Sequence, residues 1–330
     1  MIRRIVAVAI VAACAACGAV VGPDIPNTPL AIFDRVWSDF DRHYSLFVVK
    51  NVNWDSLRAV YRPLAARASN DFGVQSTVIL MMSSLHDGHV LFRGAPTGSS
   101  IHGSAVAPTV TYGTYVKFGG ELPGIVSYGA VSPNIGYIQI STFEGAQVVQ
   151  GVDAALSALR GSQAIIIDLR NNDGGFLENA TAAASRFAQK PTTVAYVRYR
   201  NGPAHTDFTK YLEQQVSPAG PLRFSGDIYV LTSRNTVSAA ELFVLCMRAV
   251  GKTTVVGDTT AGEAGSPFAR ELQNGWTYQF PESIEYTPSG SSFEDIGLAP
   301  DIEVRNTSRQ IQAHIDSQLQ LAITLASQPR

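Results

Sequence analysis

The chain has 330 residues with 25 Lys+Arg against 27 Asp+Glu, a net charge of −2, and charged residues make up only 16% of it, below the ~25% of an average soluble protein. Its charges are scattered singly, without the basic stripe that nucleic acid demands, so a nucleic-acid partner is excluded. Hydrophobic residues at 45%, with 28 Gly and 17 Pro, exclude a disordered or collagen-like polymer and describe a globular chain of one large domain or two modest ones.

Arg3 and Arg4 precede an uncharged apolar run, Ile5 to Ala13, and then small residues, the pattern of an export signal. Val11-Ala12-Ala13-Cys14 resembles a bacterial lipobox, whose cysteine becomes the lipidated first residue of the mature protein. Ala15-Ala16-Cys17 before Gly18 is a second, less favoured site. An uncleaved anchor is the alternative, because Ile5 to Gly22 carries no charge over 18 residues, the lower limit for spanning a bilayer. The second half of that run is mostly Ala, Cys, Gly and Val, which partition weakly into hydrocarbon. Residues 1–17 are therefore read as a lipoprotein-type leader, which places the domain in a bacterial cell envelope, exported and lipid-anchored. Residues 18–29, with Pro23, Pro26 and Pro29, read as an extended linker. Beyond the leader only Cys246 remains, so no disulfide framework is implied.

Residues 30–92 show helical spacing in three runs: Ile32, Val36, Phe40; then Leu57, Val60, Tyr61, Leu64; then Val78 to Leu85. This predicts a small helical domain. Residues 93–134 change to β-branched and aromatic residues punctuated by Gly and Pro, as in Thr109-Val110-Thr111-Tyr112 and Tyr115-Val116-Lys117-Phe118, which predicts short strands or a hairpin. Over 135–305 strands and helices alternate. Strands are predicted at Tyr137 to Ile140, Ala164 to Leu169, Val194 to Tyr199, Ile228 to Thr232 and Thr254 to Val256, and helices at Val148 to Leu159, Leu177 to Ala188 and Ala239 to Val250. Continuous apolar strands between helices indicate an α/β layer structure with function in the loops at strand ends. One amphipathic helix, Ile311 to Ala326, is predicted within the closing segment 306–330.

Two loops after buried strands carry chemistry. Asp168-Leu169-Arg170-Asn171-Asn172-Asp173-Gly174-Gly175 ends in a glycine pair ahead of a helix, where exposed N–H groups bind a phosphate or an oxyanion, or simply form a tight turn. Thr236-Val237-Ser238-Ala239-Ala240-Glu241 fits the S-x-x-E capping box, so Ser238 is either an N-cap or a nucleophile at the positive end of the helix, with the next N–H helping to hold an oxyanion. A serine nucleophile needs a base. Two of the six histidines lie in Leu85-His86-Asp87-Gly88-His89. Gly88 argues against a regular helix there, and with no HExxH pattern or obvious third ligand the pair does not read as a metal site.

Five motifs then occur in order: Asp87-Gly88-His89, Arg170-x-Asn172-x-Gly174-Gly175, Thr236-x-Ser238-Ala239-Ala240-Glu241, Gly257-Asp258-x-x-x-Gly262, and Glu294-Asp295-x-Gly297-Leu298-x-Pro300-Asp301. In this order they resemble the carboxyl-terminal processing proteases and tricorn proteases. That resemblance implies an α/β fold with a crotonase-like (ClpP-like) core of ββα units, preceded by a small helical domain. It also implies serine peptidase activity on polypeptides, with no cofactor and no metal. In the branch with a Ser-Lys dyad a lysine stands where this chain has Glu263 in Gly262-Glu263-Ala264-Gly265, so that base is missing. The tricorn-like branch uses a histidine before the core and a glutamate before Gly-x-x-Pro-Asp, which map onto His89 and Glu294. The implied roles are Ser238 as nucleophile, His89 as base and Glu294 as its orienting carboxylate, with an oxyanion hole from the N–H of Ala239 and that of Gly174 or Gly175. Tricorn has a serine just before the histidine, bridging it to the glutamate. Here that place is Gly88, so Glu294 contacts the imidazole directly, or water or Asp87 intervenes. Residues 93–134 are too few for a PDZ domain. Two other readings are a non-catalytic peptide- or lipid-binding module on the same fold and a crotonase-type acyl-CoA enzyme. Export and the lack of an evident nucleotide site argue against the second, and the simultaneous presence of nucleophile, base, orienter and glycines against the first.

Overall fold

The computed structural model describes residues 20–21, 25–94 and 115–328. The leader with Cys14 and Cys17, and the strand expected at Thr109 to Tyr112, lie outside the described residues. In chain order the elements are β1 (Val20–Val21), α1 (Pro29–His43), α2 (Phe47–Lys50), α3 (Trp54–Arg67), α4 (Asp71–Ser83), β2 (Leu91–Arg93), β3 (Lys117–Leu122), β4 (Val126–Ser132), β5 (Ile135–Ile140) and α5 (Gln147–Ala158). They continue as β6 (Ala164–Asp168), α6 (Leu177–Ala184), β7 (Thr192–Tyr199), β8 (Leu212–Val216), β9 (Asp227–Thr232), α7 (Ala239–Ala249) and β10 (Thr253–Gly257). The chain ends with β11 (Pro267–Glu271), β12 (Thr277–Pro281), β13 (Ser283–Tyr286), β14 (Ile302–Glu303), α8 (Ser308–Gln312) and α9 (Ser317–Ala326).

The fold is mixed α/β around a seven-stranded sheet of order β14-β10-β9-β6-β5-β4-β3. From β14 to β5 the strands run parallel, and β4 and β3 complete the sheet antiparallel. Parallel strands are covered on both faces, and the alternation of side chains shows it here. Ile138, Ile140, Ile165, Ile167, Ile228 and Val230 pack on the side of α5, α6 and α7. Tyr137, Ile166, Tyr229 and Leu231 pack on the other side, against Leu319 and Ala322 of α9. All five residues of β6 are buried, so its C-terminal end is held on both faces and the loop that follows starts from a fixed point.

α1, α3 and α4 are capped by Thr28, Asn53 and Asn70, whose side chains accept the N–H of Ala31, Ser56 and Gly73. Their apolar faces join β2, β11 and β12 in a second core, in which Phe40, Trp54 and Phe92 meet Trp276, Tyr278 and Phe280. The segment 272–284 therefore completes the core of the helices, although its sequence lies in the stretch read as 135–305. The single helix expected over Ile311 to Ala326 is broken in two. His314 takes φ 58°, and Asp316 caps α9 by accepting the N–H of Leu319 while its carboxylate meets Arg170 at 2.7 Å. The turn thereby brings a second carboxylate to the buried Arg170 guanidinium, which also meets Asp168 at 2.6 Å. The α6 helix ends at Ala184, four residues before its expected end. Among the described residues no helix is long and apolar enough to cross a membrane.

Candidate active site

The loops after β5, β6, β9 and β10 leave the same end of the parallel strands, where α/β sheets place their ligands. Asn172, fully buried, ties two of them together. Its Nδ2 donates to Ile140 O at 3.0 Å, its Oδ1 accepts the N–H of Gly174 at 2.9 Å, and its carbonyl accepts the N–H of Val237 at 3.0 Å. Gly174 and Gly175 adopt φ 96° and 127°, conformations that favour glycine. A side chain at Gly174 would place its Cβ 2.8 Å from Ser238 Cβ and 3.2 Å from Ala239 N. The glycine is thus what lets the two loops close on each other. The bridge between Phe143 and Gly175 runs through Gly174 O and the N–H of Phe176, so it uses neither polar group of Gly175, which is exposed.

Ser238 stands at the N-terminus of α7 with φ 55° and ψ −118°. A non-glycine residue held there costs of order 1–3 kcal/mol and persists only where its surroundings enforce it. The enforcing group is Glu241, fully buried. Its carboxylate accepts the N–H of Ser238 at 3.2 Å, Thr260 Oγ1 at 2.5 Å, the N–H of Gly262 at 2.8 Å and that of Glu263 at 3.0 Å. Of the pairing expected from S-x-x-E the glutamate half forms, through the Ser238 N–H, and the same glutamate fastens the 260–263 loop to the serine. Burial raises the Glu241 carboxyl to about 7, against the pull of these donors. The N–H of Ser238 also reaches Glu263 O at 2.9 Å.

His89 follows α4 in a turn made by Asp87, whose Oδ1 accepts the His89 N–H at 2.8 Å and whose Oδ2 accepts the Tyr44 hydroxyl at 2.8 Å. The His89 Nδ1 is buried without a hydrogen-bond partner among the described residues. Gly88 explains itself at this point: a Cβ on it would overlap the carboxyl group of Glu263. The space that a side chain at position 88 would take is thus occupied by the Glu263 carboxyl group. Burial raises the Glu263 carboxyl, and the strongest opposing influence is the charge of His89.

Glu294, 5% exposed, accepts the N–H of Ala264 through Oε2 at 3.2 Å. Its Oε1 lies 3.9 Å from Lys50 Nζ and has no hydrogen-bond partner among the described residues. Burial, then the negative charge of Asp87, raises the Glu294 carboxyl well above the ordinary range. Lys50, at the end of α2, also donates to His86 O at 3.1 Å and to Asp295. The site therefore gathers the carboxyl groups of Asp87, Glu263, Glu294 and Asp295 with Lys50 and His89. The sequence reading gave no part to Lys50, Tyr44 or Glu263. Gly88 beside the acid at 263 was the one available signal, and 175 residues separate them.

A family model described as Peptidase family S41 matches residues 134–304, and one described as the Tricorn protease C1 domain matches residues 26–76. Over 171 residues, 52% of this chain and 33% of the relative, the chain is 29% identical to the CtpA-like serine protease of Staphylococcus aureus (strain N315). It is 27% identical to the carboxy-terminal processing protease CtpA of Bacillus subtilis (strain 168) over 52% of this chain and 35% of that one. The match thus spans about a third of the length of these curated relatives. A crystal structure from Parabacteroides merdae ATCC 43184, described as a candidate peptidase, superposes with TM-score 0.77 at 25% identity, covering 91% of this chain and 97% of that one. Tricorn protease, with TM-score 0.59, 16% identity and coverage of 90% of this chain and 36% of its own, shares the fold.

Proposed function

This chain belongs to peptidase family S41, and from that premise we propose that it is an exported, membrane-tethered serine endopeptidase that cleaves extended or unfolded polypeptides. The observation that supports this most directly is Ser238, held at φ 55° at the head of α7 with Gly174 against its Cβ. Ser238 Oγ attacks the peptide carbonyl as His89 takes its proton. His89 returns that proton to the leaving amine, and water then repeats the attack on the acyl-enzyme. The oxyanion is held by the N–H of Ala239 and that of Gly175. Gly174, the other candidate, already donates its N–H to Asn172 and serves by its missing side chain. The imidazolium is compensated by the acid cluster, in which Glu294 is the carboxylate named by family mapping and Glu263 the one against the histidine turn. Polypeptide binds extended, through main-chain hydrogen bonds that select unfolded segments. The β4–β5–α5 succession supports the crotonase-like reading of the core as ββα units.

A fluorophosphonate probe should label Ser238, and Ser238→Ala should abolish both labelling and cleavage of casein while leaving the fold intact, since the bond to Glu241 comes from the backbone N–H. Undiminished proteolysis in that variant sinks the assignment, and a folded wild-type protein that neither labels nor cleaves favours the non-catalytic module. The tether is a lipid on Cys14, or on Cys17, read as a mass increase on the N-terminal peptide of the native protein. An intact Met1 there points to the uncleaved anchor.

A further inference from the structure

A narrow cleft with about 10 Å³ of accessible space in the free protein is lined by Ser238. Its other walls are apolar, formed by Leu177 of α6, Leu242 and Leu245 of α7, and Phe293. Into this lining β13 sends one acid, Glu285, which is 7% exposed. Gln214 Nε2 stands 3.5 Å from Glu285 Oε1, at the long limit of a hydrogen bond. Glu285 Oε2 is buried with no hydrogen-bond partner among the described residues. A buried carboxyl oxygen without a donor is costly and rarely kept without use.

Resting on the peptidase reading, the geometry points to this pocket as the subsite for the side chain that precedes the scissile bond, with Glu285 selecting a basic residue there. The apolar walls suit the methylene stem of lysine or arginine, for which the narrow cleft widens on binding, and the cationic tip brings to the orphaned oxygen both donors and charge. An uncharged apolar side chain fills the walls but leaves Glu285 unpaired, and an acidic one sets two carboxyl groups together, so selection has an attractive and a repulsive side. Burial raises the Glu285 carboxyl to about 8, which keeps the empty pocket neutral near pH 7. Releasing that proton to admit a cation costs about tenfold in affinity at pH 7, which a charge pair in a low-dielectric pocket offsets.

The test uses the full chain and peptides identical except for the residue before the cut: lysine, norleucine or glutamate. The expected kcat/KM is roughly tenfold or more higher for lysine than for norleucine, its uncharged counterpart, with glutamate lowest. In Glu285→Gln the lysine-to-norleucine ratio should collapse toward one, and Glu285→Leu should reverse it. The ratio is the readout because a poorly folded variant lowers both substrates together. A wild-type ratio near one, or a ratio unchanged in Glu285→Gln, overturns the proposal. Failure of the peptidase reading is recognised separately, by absent labelling of Ser238. Calorimetry then decides the pocket without turnover: Ser238→Ala protein should bind a peptide ending in lysine more tightly than one ending in norleucine, and equal affinities overturn the proposal.

Discussion

Gly88 and Glu263 form a pair that family mapping alone would separate. The carboxyl of Glu263 fills the space a side chain at Gly88 would need, and His89 is its strongest charged neighbour, whereas Glu294 is engaged with Ala264 and Lys50. On the proposed mechanism, Glu263→Gln is therefore expected to lower kcat at least as much as Glu294→Gln, with little change in KM, because in that mechanism both carboxyl groups act on the charge of the imidazolium rather than on substrate binding. Gly88→Ser alone should displace the flexible end of Glu263 and lose activity. Combined with Glu263→Ala it should recover part of the loss, since the added hydroxyl then occupies the vacated space. Steady-state kinetics on one peptide reads the cycle, and strictly additive losses would rule out the pairing.

At the scale of elements, α7 is the pivot. Nine consecutive residues, Ala239 to Met247, are buried, so the helix packs on all sides and its N-terminus cannot drift relative to the strands. Glu241 turns that rigidity toward the site by fastening the serine and the 260–263 loop to one carboxylate. Gly174→Ala introduces both a Cβ 2.8 Å from Ser238 Cβ and a side chain at φ 96°. It should lower kcat/KM by about 10²-fold or more, as does misplacing an oxyanion or nucleophile group, and destabilise by about 1–3 kcal/mol. Gly124→Ala, at φ 72° with open space around its Cβ, carries only the backbone strain. It should cost about 1 kcal/mol and leave turnover intact; equal loss of turnover in both would remove the argument from close approach.

The whole molecule keeps an unusual set of buried acids, and this sets its stability against pH. Glu241 and Glu285 rise from an ordinary 4.5 to about 7 and about 8. Each binds its proton more tightly folded than unfolded, so its contribution is full below pH 4.5 and is lost as pH rises to the folded value. At about 1.4 kcal/mol per pKa unit, each removes a few kcal/mol between mildly acid and weakly alkaline pH. The denaturant midpoint should fall from pH 5 to pH 8. Between pH 7 and 8, where Glu285 loses its proton in wild type, Glu285→Gln should fall less steeply than wild type, the remaining slope coming from Glu241. Parallel slopes would mean that Glu285 is already ionised in the folded chain. The same scale explains why the helices belong to the site. Lys50 and His89 come from the N-terminal third, and the core around them is closed by Trp276, Tyr278 and Phe280.

The sequence by itself determined what local chemistry and periodicity carry: the apolar strands β5, β6, β9 and β10, the helices capped by Asn and Thr, the glycine pair after β6, and Ser238 at the head of a helix with Glu241 three residues on. It was silent on β8, whose Leu-Glu-Gln-Gln-Val lacks an apolar alternation because it is an edge strand. It was silent too on β11 to β13, short strands whose burial depends on helices more than 170 residues earlier. The break between α8 and α9 combines a local feature, Asp316 as the cap of α9, with a distant one, the buried charge of Arg170 that the same carboxylate meets. The contacts that distinguish this site, Glu263 against Gly88 and Glu285 facing the pocket of Ser238, join residues far apart in the chain. Side-chain spacing encodes which face of an element is buried, but only the closing of the sheets and cores on one another decides which carboxylate meets which space.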